Sequence, residues 1–149
     1  GVSWFAGSLS NLLFSVTRSQ VDFSNLYFIF GYADHGGALY LKDSQVTIED
    51  CCFYSNISPK GGSIYMYFST VSITSCIFQE NTATQGGALA MDHSTVEIHD
   101  ASCNFNVASY IGGALYMTDS TVHIDGSNFS SNSATYYGGA LYQHYSNLT

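Results

Sequence analysis

Apolar and polar residues alternate along this chain in short bursts, and the bursts return in step. In one kind of burst the apolar pairs are Leu39/Leu41, Ile64/Met66, Leu89/Met91 and Leu115/Met117. In a second kind they are Val46/Ile48, Val71/Ile73, Val96/Ile98 and Val122/Ile124. A third kind centres on Phe53, Phe78, Phe105 and Phe129, each expected to point inward with the residue two before it. Period-two alternation is the pattern of a strand with one buried face. No i, i+3, i+4, i+7 stripe of useful length occurs, so no amphipathic helix is predicted.

The bursts are framed by a Gly-Gly pair. It stands at Gly36-Gly37, Gly61-Gly62, Gly86-Gly87, Gly112-Gly113 and Gly138-Gly139, in steps of 25, 25, 26 and 26 residues. A fixed period of this size marks a solenoid, because one coil cannot bury its own inner face and stacked coils can. The expectation is an all-β parallel solenoid of about six rungs, with three short strands per rung and strands about 4.8 Å apart. Residues 1–149 form one domain. Rungs 36–60, 61–85, 86–111 and 112–137 are regular, and 138–149 is a half rung. Residues 1–35 are degenerate rungs: Val21/Phe23 and Phe28 keep the phase, while Asn11-Leu12 replaces the glycine pair.

Gly36, Gly61, Gly86, Gly112 and Gly138 are expected at structural corners, where a positive φ or close backbone approach excludes a Cβ. Asn56, Asn81 and Asn132 follow Phe by three residues and are expected at a bend, where Asn tolerates the left-handed conformation and stacks as a ladder. Spacing is least regular between Ile98 and Phe105. That places insertions near Asp100-Ala101-Ser102 and Ala108-Ser109-Tyr110.

The pairing of Gly-Gly-Ala-Leu with Phe53-Tyr54-Ser55-Asn56, Phe78-Gln79-Glu80-Asn81 and Phe129-Ser130-Ser131-Asn132 resembles the repeat of the chlamydial polymorphic outer-membrane proteins. Residues 19 to 145 carry the resemblance, and the pattern departs where Ala108 follows Phe105 and Gly31 follows Phe28. The resemblance implies a right-handed parallel β-helix acting as an extracellular adhesin passenger. Nothing in the sequence corresponds to the membrane barrel that anchors such passengers.

Charge narrows the partners. Three basic residues stand against 11 acidic ones, and only 9% of the chain is charged. So few cations cannot form a phosphate-binding surface, which excludes nucleic acid and an anionic membrane as expected partners. No apolar run reaches about 18 residues, so no membrane insertion by a helix is expected. An extracellular or cell-surface location is expected.

Candidate chemistry is sparse. Asp43 and Asp119 share a repeat phase, but Phe68 and His93 occupy it between them. Without clustered carboxylates no catalytic residue is assigned, and the chain is expected not to be an enzyme; a carbohydrate-active enzyme is the outlying alternative. His35, His93, His99, His123 and His144 lie at different phases, so no metal site and no cofactor are expected.

Tyr40, Tyr65, Tyr116 and Tyr142, with Ala90 between, share one outward position. They can stack on each other, or form a lateral contact face for a glycan or surface ligand, with a shallow groove over Ala90. Cys51, Cys76 and Cys103 share one inward position, as a disulfide ladder or as small apolar fillers. Of the N-x-S/T sequons, Asn56 belongs to the bend, while Asn128 and Asn147 face solvent as glycosylation candidates. The leading expectation is a structural solenoid of an extracellular filament or surface appendage, self-associating head to tail. The alternative is a segment of a surface adhesin.

Overall fold

The computed structural model describes residues 3–6 and 12–149. The inward residues of each rung stand directly over those of the next, in register. The first side is built from Phe14–Thr17, Leu39–Lys42, Ile64–Tyr67, Leu89–Asp92, Leu115–Thr118 and Leu141–His144. The second is Gln20–Ser24, Gln45–Glu49, Thr70–Thr74, Thr95–His99, Thr121–Asp125 and Asn147–Leu148. The third is Ser3–Ala6, Leu26–Ile29, Cys52–Tyr54, Ile77–Gln79, Ser102–Asn104 and Asn128–Ser130. All ladders are parallel, with partners one rung apart, such as Val71 with Val46 and Val96. Asn11, expected in place of a corner glycine, lies outside the described residues.

Each rung has a fourth side, where three strands were expected. Ile57–Lys60, Thr82–Gln85, Val107–Ile111 and Ser133–Ala134 form a four-stranded sheet. Its inward residues are Ser58, Ala83 and Ala108, all buried. These small side chains leave no hydrophobic alternation to read.

The core is a set of columns. Leu39/Leu41, Val46/Ile48 and their counterparts line two sides with almost no exposure. Phe28, Phe53 and Phe78 stack nearly parallel at 4.7 and 4.8 Å on the third. That is one strand spacing, so each ring repeats the rung below. Cys103, not Phe105, continues this column: Cys103 pairs with Phe78 and has no exposure. Phe105 sits two residues further on at a corner, 55% exposed. There is no insertion at Asp100-Ala101-Ser102. The extra residue of the longer rung is a bulge between Ala108 and Ile111, opposite Ala83 and Gln85.

Four corners turn the chain, and all four use a left-handed residue. Positions equivalent to Asp43, Asp50, Ser55 and Gly61 have φ of 49°, 51°, 52° and 61°. The residue after each of the first three ties rungs together. Ser44, Ser69, Ser94, Ser120 and Ser146 each accept, through Oγ, the backbone N–H of the preceding rung's serine, at 3.0–3.2 Å. Asn56, Asn81, Asn106 and Asn132 do the same through Oδ1, with Gly31 at the head of the column. The asparagines are therefore caps, and the left-handed residue is the one before them: Ser55, Glu80, Phe105 and Ser131.

The fourth corner tolerates no side chain. A Cβ on Gly61 would lie 2.1 Å from the Ile64 carbonyl oxygen, and one on Gly62 would lie 2.1 Å from that of Gly87. Both contacts are with backbone, which cannot step aside.

Candidate functional site

With the interior committed to packing, chemistry is confined to outward positions and corners. The first side and the corner that follows it hold the densest set. Their strands project Tyr40, Tyr65, Ala90, Tyr116 and Tyr142 in register, and two residues on, Lys42, Tyr67, Asp92, Thr118 and His144. The corner adds Arg18, Asp43, Phe68, His93, Asp119 and Tyr145, each held at φ of 46–51°. A left-handed corner throws its side chain outward, so bulky Phe68 and His93 stand clear of the core.

The tyrosines form two stacks rather than one. Tyr40 and Tyr65 lie 5.8 Å apart with planes 8° from parallel. Tyr116 and Tyr142 lie 5.9 Å apart at 5°. Ala90 separates the stacks, but the expected groove above it is closed, since Ala90 has no exposure. Tyr65 is also only 6% exposed, with His35, Lys60 and Tyr67 around its ring. Its hydroxyl donates to Asp92 Oδ2 at 3.4 Å. Burial first, then the nearby Asp92 carboxylate, push the Tyr65 pKa far above its ordinary value. Burial raises Tyr116 as well, against a hydrogen bond with Thr118 that lowers it. The accessible members of the expected contact face are thus Tyr40, Tyr116 and Tyr142, joined by Tyr67.

The corner brings together groups that phase alone kept apart. His93 Nδ1 lies 2.5 Å from Asp92 Oδ1, and Asp119 is one rung away at the same corner as His93. One ligand atom from each of Asp92, His93 and Asp119 lies within 4.8 Å of the others. The imidazole also stacks on Phe68 at 4.6 Å. Two carboxylates and an imidazole accept hydroxyl protons, and the same three could hold a cation. Asp92 differs from Asp119 in phase by one residue, but the αL turn swings its neighbour His93 outward beside it. The signal available in sequence was the Asp-His pair preceding a corner serine.

The remaining candidates are dispersed. Asn56 is fully buried and its amide is consumed by the cap ladder. Asn128 and Asn147 are exposed, on the third and second sides. Cys51 and Cys76 share a column with Ala101 and Ser127, so Cys103 is not part of their ladder. Gly36, Gly112 and Gly138 occupy the same corner as Gly61 and Gly86. None of the described residues forms a helix long and apolar enough to cross a membrane.

Parallel ladders stacked on all sides define a parallel β-helix. The chain belongs to the family described as the right handed beta helix region, whose model matches residues 9–149. Comparison with curated proteins and with solved structures found no match.

Proposed function

We propose that this β-helix is a non-catalytic binding segment of a secreted or cell-surface protein, and that it takes carbohydrate on the first side and its corner ridge. The observation that carries this reading is the meeting of half-buried Tyr67 and Tyr116 with Asp92, His93 and Asp119 on one edge. Aromatic rings pack against the apolar C–H faces of a sugar, while carboxylates and imidazole accept its hydroxyl protons. The low charge and the Ser-, Thr-, Asn- and Tyr-rich surface suit a neutral, hydroxyl-rich partner. The repeat's resemblance to chlamydial surface proteins supports an adhesin role in the same way.

The head-to-tail fibre has weaker support. The open edge at Asn147–Leu148 is what any stretch of solenoid presents, so it does not select a fibre over a binding segment.

The test is a glycan array followed by titration of the best hit. Asp92→Asn with Asp119→Asn is expected to weaken binding at least tenfold, with the far-ultraviolet spectrum unchanged. Loss of binding on changing the third side instead, or release of cleaved oligosaccharide, would sink the reading.

A further inference from the structure

Four thiols are present, and the fold sorts them. Cys52 points outward on the third side, next to Tyr54. Cys103 is sealed in the Phe column, and burial pushes its thiol pKa up to about 12. Cys51 and Cys76 stand at the corner before the third side, one directly above the other. Their alignment is fixed by the Ile77–Cys52 pair and by the Ile77 N–H donating to the Cys51 carbonyl at 2.9 Å. Strand spacing sets their Cα atoms about 4.8 Å apart, inside the range a disulfide spans. Cys76 Sγ reaches back across the rungs, to 3.5 Å from the Ile48 carbonyl oxygen. The two thiols also shift each other, Cys76 lowering the pKa of Cys51 and Cys51 raising that of Cys76. From Cys76 to Cys103 the same arithmetic fails: one rung up and two residues along gives roughly 8 Å, beyond reach without backbone movement.

We infer that Cys51 and Cys76 are a site of oxidative cross-linking, forming a disulfide that joins two consecutive rungs across one corner. A small-molecule disulfide such as oxidised glutathione is a sufficient oxidant. Cys51 thiolate attacks one of its sulfurs, forms a mixed disulfide and expels one glutathione thiolate. Cys76 thiolate then attacks Cys51 Sγ and expels the second. The protein thiols lose two electrons in all, the glutathione disulfide gains them, and the two protons end on the released glutathione. The neighbouring Cys76 favours the Cys51 thiolate, which makes Cys51 the first nucleophile, while Cys51 and burial hold Cys76 protonated for longer. Both thiols are at most 2% exposed, so exchange runs while the rung is open, during folding or a local opening.

Serine fits this corner already: Ser127 Oγ accepts the Ala101 N–H at 3.0 Å. Cys51→Ser and Cys76→Ser therefore keep the cap and remove only the cross-link. The experiment refolds the full chain in a glutathione redox mixture, counts reactive thiols in denaturant and maps peptides by mass spectrometry. The expected product is a monomer with Cys52 and Cys103 still reactive and a Cys51–Cys76 peptide. It should melt above its reduced form, and both serine variants should fold without the cross-link. Four free thiols after equilibration with excess oxidised glutathione would overturn the inference. So would a glutathione adduct left on Cys51, or a cross-link that uses Cys52 or Cys103.

Discussion

Removing one amide from the middle of the asparagine column tests what holds the rungs in register. Asn81 has no exposure and works in both directions. Its Oδ1 accepts the Asn56 N–H at 2.9 Å and Asn56 Nδ2 at 3.1 Å. Its Nδ2 donates to the Phe53 carbonyl at 3.0 Å and to Asn106 Oδ1 at 3.0 Å. In Asn81→Ala the Asn56 side chain keeps its bond to Phe28, and Asn106 Oδ1 keeps the Asn81 N–H. The group left stranded is the Asn56 N–H, while the Phe53 carbonyl keeps its place in the ladder with Gln79 and loses only its second donor. A stranded buried group costs about 1–3 kcal/mol and a lost hydrogen bond about 1 kcal/mol, so the variant should lose about 2–4 kcal/mol. Asn132→Ala is the control, because Asn132 is only part-buried and its removal should open the Asn106 N–H to water; it should cost about 1 kcal/mol. Urea unfolding followed by far-ultraviolet circular dichroism measures both. Equal losses for Asn81→Ala and Asn132→Ala would refute the argument, because burial of the orphaned groups is what separates them.

Two further outcomes follow from single positions. Ser63 stands in an otherwise alanine column, and its Oγ is, among the described residues, the one buried side-chain polar atom without a partner; Ser63→Ala should gain about 1 kcal/mol in the same urea assay. The raised Tyr65 pKa contributes stability that is complete below the unfolded tyrosine value of 10.0 and is lost as pH climbs above it, because the unfolded chain then gives up a proton the folded one retains. Thermal midpoints should therefore fall above about pH 10, and Tyr65→Phe should make that fall shallower.

What the sequence made legible follows from where a residue must be apolar or must lack a Cβ. Val46/Ile48 and the Gly61-Gly62 pair were readable because burial and backbone crowding each admit few residue types. The fourth side was not, because Ser58, Ala83 and Ala108 are small without being markedly apolar. Phe105 misled for a related reason. An aromatic at nearly the right spacing outweighed Cys103, although the asparagine after Phe105, Asn106, keeps the 25-residue step from Asn81. Following the caps rather than the rings would have set the register. The same is true of the corner serines, which recur from Ser19 to Ser146 and leave no trace in hydropathy.

The candidate site was legible only in part, and the reason lies in the corners. A residue at φ near 50° is held there by the caps on either side of it, not by its own preference, so its side chain is free to vary. Phe30, Phe68, Phe105 and Tyr145 accept that conformation although a side chain there costs about 1–2 kcal/mol. A corner column can thus read Arg18, Asp43, Phe68, His93, Asp119, Tyr145 with no common chemistry and no change in fold. The proposed binding function is written in these corner columns and in the outward strand columns beside them. Hence the periodicity that reveals the scaffold cannot reveal the site, and the Asp92–His93–Asp119 cluster emerges only when neighbouring rungs are set side by side.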